Sequence, residues 1–203
     1  MAEHSRNAKP AATVSGENWE GRDISAAIYT SVAFADLDLT EVTNTGAVFT
    51  DCTFRGARFN VSVHTDAAFV NCTFANCTFF DTQFTDCKFV GSTFERCTYD
   101  LMRVTGGNWS FAGLRAADLR TATFSGTRLR EADLSAARCE GSSLRDVDLA
   151  GASLHNTKFA KCDLRGSDLS ALDPTSADLR GAIVTYEQAL VIAAALGLDV
   201  RAD

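Results

Sequence analysis

The sequence predicts an all-β solenoid closed at its C-terminal end by an α-helix. Three observations carry this. A large apolar residue returns at nearly every fifth position with no insertion breaking the count, a usually small residue stands two places before it, and the pattern stops at an alanine-rich stretch. In "FVNCTFANCTFFDTQFTDCKFVGSTF", phenylalanine occupies positions 69, 74, 79, 84, 89 and 94. A strand repeats its faces every two residues and a helix every 3.6, so neither alone gives every fifth residue one environment. A fixed self-similar period is the mark of a solenoid.

The phase holds for thirty positions from Phe34 to Leu179, here termed centres. Twenty-six are aromatic or aliphatic, and the exceptions are Asn44, His64, Cys139 and Pro174. Twelve of the fourteen phenylalanines are centres; Phe80 and Phe111 are not. The phase extends back through Tyr29, Ile24 and Trp19. The residue two places before each centre is usually small, as at Cys72, Cys77, Thr82, Ser92, Ala112 or Ala132. One large and one small side chain therefore point inward from each five, the residue between them points out, and the last two turn a corner. A narrow tube packed to crystal-like density needs that alternation.

"AADLR" (116–120), "EADLS" (131–135), "SADLR" (176–180) and the phenylalanine forms "CTFAN", "CTFFD" and "CKFVG" resemble pentapeptide repeats, A(D/N)LXX in consensus. The resemblance implies a right-handed quadrilateral β-helix of four repeats per coil. Residues 20 apart then stack, and Trp19 to Leu179 makes about eight coils, a rod of about 38 Å at strand-like spacing. A solenoid must also cover its ends. After Gly181, "TYEQALVIAAALGLDV" (185–200) reads as a helix over roughly 186–196, with Thr185 and Gln188 as a capping box and Gly197 at the C-terminal cap. The organisation expected is a loose tail over 1–16, the β-helix over 17–184, and a capping and dimerisation helix over 185–203.

That helix is apolar nearly all round and must bury two sides. Tyr186, Ala189, Leu190, Ile192, Ala193 and Leu196 are the expected homodimer interface. The tail also resembles that of the Qnr and MfpA group of quinolone-resistance proteins, matching at Gln188-Ala189, Ala194-Ala195 and Gly197-Leu198. The resemblance implies end-to-end dimers and a DNA-mimicking rod that binds DNA gyrase, or another type II topoisomerase, and protects it from quinolones or a natural-product toxin. No loop interrupts the phase, so the chain looks closer to the loopless MfpA type. The alternative is a non-enzymatic scaffold with a different protein partner.

Composition fits both. A net charge of −7 disfavours direct nucleic-acid binding and favours a basic partner. Residues 34–100 hold nine acids against four bases, and residues 106–181 ten against ten. The expected partner surface is therefore Asp36, Asp38, Glu41, Asp51, Asp66, Asp81, Asp86 and Asp100. No stretch reaches the roughly 20 apolar residues of a membrane span, and the first residues lack the apolar core of a secretory signal, so a cytoplasmic location is expected. Histidines at 4, 64 and 155 and the lack of nucleophile or phosphate-binding motifs point to no catalysis, no cofactor and no metal. Six of seven cysteines hold the small inward position, as expected of reduced core thiols. Asn44 and His64, 20 apart, read as a hydrogen-bonded patch or a buried polar site. Thr53, Thr73 and Thr93 form an outward ladder of three rungs, too short for ice binding and suited to a strand wall. "NVSVHTD" (60–66) and "DLMRVTGG" (100–107) depart most from the consensus.

Overall fold

The computed structural model describes residues 10–201, and in it each five-residue repeat becomes one side of a square. The first side is a parallel sheet of Ala12–Ser15, Val32–Ala35, Thr53–Arg55, Thr73–Ala75 and Thr93–Glu95. Its outward residues run Thr13, Ala33, Thr53, Thr73, Thr93, Gly113, Asp133 and Ser153, eight rungs joined by seven pairings. The second side is built from isolated bridges, from Asn18↔Asp38 to Lys158↔Asp178. The third is a six-stranded sheet whose members include Thr43–Thr45, Val63–Thr65, Gln83–Thr85 and Arg103–Thr105. The fourth has Ile28–Thr30, Val48–Thr50 and Ala68–Val70, continued by bridges through Lys88, Asn108, Arg128 and Asp148. Every pairing joins i to i+20. The peptides of the wall bond between coils, as when Trp19 N–H donates to Asp38 O at 2.8 Å and Asp38 N–H to Glu17 O at 3.0 Å, which satisfies backbone that would otherwise be buried unpaired.

The corners explain the turn residues. The second residue after nearly every centre has positive φ, between 51° and 61° where it is not glycine. This left-handed region suits Gly, Asn and Asp and strains other side chains. Asp36 leans over the next coil, where a Cβ on Gly56 would come 2.6 Å from its Oδ1; Asn71 over Gly91 and Asp86 over Gly106 repeat the arrangement.

Centres fill the tube. Phe34, Phe54, Phe74 and Phe94 stack at 4.8, 4.9 and 4.9 Å with rings within 11° of parallel. Tyr29, Phe49, Phe69 and Phe89 form a second ladder at 5.2, 4.8 and 4.7 Å. Those spacings match the rise between coils. The ladders meet edge to face, as at Phe69–Phe74, 5.9 Å and 62°. The small inward position has its own chemistry: its Sγ or Oγ donates to the carbonyl 23 residues earlier. Cys72 reaches Phe49 O, Cys87 reaches His64 O and Ser92 reaches Phe69 O. Cysteine, serine and threonine therefore alternate there with alanine.

Pro174 has no N–H to donate, and the ladder slips by one residue beside it: Asn156 N–H donates to Ser176 O, 20 residues on rather than 19. The helix Tyr186–Ala195 closes this end. Its capping box forms as expected, with Thr185 N–H donating to Gln188 Oε1 at 2.7 Å. Gly197 has φ 78°, Gly197 N–H donates to Ala194 O and Leu198 N–H to Ala193 O, a Schellman ending. Gln188 is also buried, and its Nε2 donates to Leu164 O and Ser167 O, both 2.7 Å, on the last regular coil.

Of the expected tail, residues 1–9 lie outside the described residues. Ala12–Ser15, placed in that tail, instead form a strand paired with Val32–Ala35. The backbone supplies this pairing although three of its four residues are exposed, so no hydrophobic pattern marks it.

Candidate partner-binding surface

The acidic character of the N-terminal half follows from the corners. Asp36, Glu41, Asp51, Asp66, Asp81 and Asp86 are all left-handed corner residues, where Asp is among the few side chains tolerated and has to point outward. Register distributes them around the rod. Glu41, Asp81 and Asp100 lie along the edge between the second and third sides, and Asp66 and Asp86 along the next edge. Asp51 and Asp36 stand on the two remaining edges, and Asp38 lies on the second side. The eight residues thus ring the rod rather than gather on one face.

They also differ in freedom. Arg58 donates to Asp38 at 2.5 Å and, with Thr40, holds its carboxyl down to about 2. Arg103 donates to Asp81 at 2.6 Å. Asp36, Glu41, Asp51, Asp66, Asp86 and Asp100 have no cationic group within salt-bridge reach among the described residues. Residues 10–100 carry twelve carboxylates against five Arg and Lys, whereas residues 101–201 carry twelve of each. In that second half the charges pair locally: Arg120 with Asp118, Arg130 with Asp148, Arg165 with Asp163 and Arg180 with Asp178. Glu131, Asp133, Asp146 and Asp168 have no ion-pair partner among the described residues either, but their charge is balanced by the bases of that half, so the net negative charge belongs to the first half.

Inside the tube, Asn44, Ser62 and His64 form a closed hydrogen-bond chain. Ser62 Oγ donates to Phe59 O at 2.5 Å, so it accepts from His64 Nε2–H at 2.9 Å. His64 Nδ1 then accepts from Asn44 Nδ2 at 3.0 Å, and Asn44 Oδ1 accepts Ala47 N–H at 3.1 Å. Burial pushes the imidazole down to about 3, which keeps it neutral. His64 lies flat on Phe84, 5.0 Å away, as one more ring in the core. This is the hydrogen-bonded patch of the two readings. Ser62 is fully enclosed with its proton committed to a carbonyl, so the Ser–His pair has neither access nor a free nucleophile.

The seven cysteines are free thiols. Burial raises Cys87 and Cys162 to about 11. Cys97 is the one only partly buried. Among the described residues no three His, Cys, Asp or Glu side chains gather as metal ligands, and no helix is long and apolar enough to cross a membrane. The helix residues divide. Ile192 packs on the core and Ala193 is half-buried, while Tyr186, Ala189, Leu190 and Leu196 face outward.

Sequence reasoning passed over one feature of the surface. Val61, Val63, Phe80 and Leu101 are 42, 38, 47 and 49% exposed. They come from the two stretches that depart most from the repeat and from one of the two off-phase phenylalanines. The departures were visible; their convergence needed the 20-residue register.

The geometry defines a quadrilateral β-solenoid of five-residue repeats, and comparison with known proteins agrees. Overlapping stretches from residue 104 to residue 185 match the family of pentapeptide repeats, while residues 22–99 match the SV2A/B/C luminal domain. The chain thus carries pentapeptide repeats over residues 104–185, and its fold is a β-solenoid like those of the solved structures that follow. A trypsin-treated variant of QnrB1, a plasmid-mediated fluoroquinolone resistance protein, superposes with a TM-score of 0.72 at 20% identity, covering 89% of this chain and 100% of that one. Full-length QnrB1 gives 0.56 at 20% identity, covering 93% and 98%. No curated protein matches the sequence.

Proposed function

We propose that this protein is a non-catalytic binding protein whose acidic N-terminal half occupies the basic DNA-binding saddle of a type II topoisomerase, DNA gyrase in the first instance, and so protects it from an inhibitor. The observation that carries this is the ring of unpaired carboxylates on a rod whose fold is like that of a fluoroquinolone resistance protein. Negative potential on all sides is what a duplex presents, and it steers a basic partner from a distance. The rod is weaker than DNA in this respect: about 38 Å of duplex carries roughly 22 charges, against a net −7 here. Shape has to contribute the rest. Homodimerisation through the outward helix face of Tyr186, Leu190 and Leu196, in the cytoplasm, belongs to the same reading.

The test replaces Glu41, Asp51, Asp66 and Asp100 together by Gln or Asn. None has an ion-pair partner or leans on a glycine, so the melting temperature should hold. Gyrase affinity at low salt should fall at least tenfold, and the remaining binding should respond less to salt. Unchanged affinity would favour the second reading, a scaffold for another protein, which the low net charge supports.

A further inference from the structure

We propose that the edge carrying Val61, Phe80 and Leu101 is a docking ridge for a protein partner that presents apolar side chains flanked by lysine or arginine. The inference rests on the reading that a basic protein binds the acidic half, and adds where and how it is anchored. Three independent observations converge on this edge.

The first is placement. Val61 N–H donates to Phe80 O at 2.7 Å and Asp81 N–H to Asp100 O at 2.8 Å, so the three apolar residues occupy three consecutive coils of one edge, within about 10 Å along the rod. Val63 extends the patch onto the third side, where it pairs with Thr43 and Gln83. A contiguous apolar surface with a polar rim is what interaction sites look like, whereas a scattered leucine is not.

The second is strain. Val61 and Leu101 have φ of 60° and 58°. At the equivalent corners the described chain elsewhere uses Gly, Asn, Asp or small and charged residues such as Ala116, Glu131 and Lys161, and the large apolar side chains there are Val61, Leu101 and Phe111. A β-branched valine there is a true outlier, and its side chain gains nothing from the core because it lies in solvent. Strain is shared by many corners, Phe111 included; what sets this edge apart is that two of its strained corners carry large apolar side chains left in solvent beside Phe80, a combination that fits a functional surface better than a fold requirement.

The third is charge. Glu20, Glu41 and Asp100 line the same edge without an ion-pair partner among the described residues, and Asp81 shares its charge with Arg103. A second copy of this chain meeting edge to edge would set Glu41 and Asp100 against like charges. A basic surface would meet opposite ones and cover the apolar residues.

Phe111 supplies the control. It is 54% exposed with φ 61°, but its neighbours on its edge are Gly91 and Glu131, so it stands alone. The experiment compares the triple variant Val61→Asn, Phe80→Ser, Leu101→Asn with Phe111→Ser and the unmodified chain, by gyrase binding, thermal melting and sedimentation. The triple variant should melt no lower than the unmodified chain, since strain and exposed apolar surface are both relieved. It should lose at least tenfold in gyrase affinity while Phe111→Ser changes less than twofold. Equal affinity of the triple variant overturns the proposal. If the unmodified chain does not bind gyrase, the topoisomerase reading fails by itself. The same three proteins are then titrated with an amphipathic Lys/Leu peptide and with polylysine. Selective loss of the Lys/Leu peptide by the triple variant supports the ridge; equal binding by all three proteins overturns it. Self-association of the unmodified chain abolished in the triple variant would assign the edge to a second copy and overturn the proposal as well.

Discussion

The two halves of the rod are built to one plan with different materials. Up to about residue 100 the centres are mainly phenylalanine, five of the seven cysteines line the tube, and carboxylates stand unpaired at the corners. Beyond it the centres are mainly leucine and arginine–aspartate pairs cover the outside. Trp109 sits at the join, fully buried, against Phe89 and Phe94 on one side and Phe124 on the other. The two family matches divide the chain at the same place. A five-residue turn therefore fixes the wall but leaves filling and surface free to vary, and here they vary together. The half with the more aromatic core carries the net negative charge and the exposed apolar edge.

The largest effect that would sharpen this contrast is in the core. Phe74 touches Phe54 and Phe94 face to face and Phe59, Phe69 and Phe79 edge-on. Phe74→Ala should destabilise by about 3–5 kcal/mol through the cavity it leaves. Phe74→Leu is the sharper probe: ring contacts beyond simple burial make about 1–2 kcal/mol reasonable. The leucine half tolerates Leu at the same inward position, since Leu114 and Leu134 stack there. A neutral Phe74→Leu, measured by urea unfolding, would mean that the two fillings are interchangeable and the comparison is one of composition only.

Next comes pH. His64 lies in the aromatic half, ordinarily titrates near 6.5, and is pushed down to about 3 by burial. Between those values the unfolded chain takes up a proton that the folded chain refuses. Stability present above pH 6.5 should therefore be lost as pH falls, at about 1.4 kcal/mol per pH unit, or about 2 kcal/mol by pH 5. Asp38 and Asp163, held at about 2, contribute only below the ordinary carboxylate range. His64→Gln, which can still serve Ser62 and Asn44, should flatten the slope between pH 6.5 and 4.5. An unchanged slope would place the titrating group elsewhere.

How far these differences were legible in the sequence depends on what carries them. The unbroken phase of the centres fixed the solenoid, because no other shape repeats every five residues. The capping box Thr185–Gln188 fixed where the helix begins, because its hydrogen bonds are local. The second task of Gln188, binding the carbonyls of Leu164 and Ser167, was hidden because it joins residues more than 20 apart. Ala12–Ser15 was hidden because a strand held by backbone pairing needs no hydrophobic pattern. The corner acids are legible in the sequence as outward charge; that Asp36 and Asp86 also lean over Gly56 and Gly106 depends on the geometry of the left-handed turn. Val61 and Leu101 were visible as departures, but exposure and strain are properties of the folded corner.

The smallest effect tests the surface contrast directly. Salt screens charges within about 10 Å at 0.1 M. In the first half the dominant interaction among exposed charges is repulsion, since twelve carboxylates face five bases, and screening should stabilise it. In the second half it is attraction within pairs such as Arg130–Asp148 at 2.6 Å, and screening should weaken it slightly, because exposed pairs contribute little to begin with. Raising salt should therefore slow amide exchange over the strands of residues 43–95 and leave, or slightly speed, exchange over residues 118–165. The change should be on the order of twofold in each direction. Exchange followed by mass spectrometry resolves the two segments in one experiment. If both respond in the same sense, the unpaired acids of the first half do not repel one another enough to matter, and the field ascribed to them is too weak to steer a basic partner.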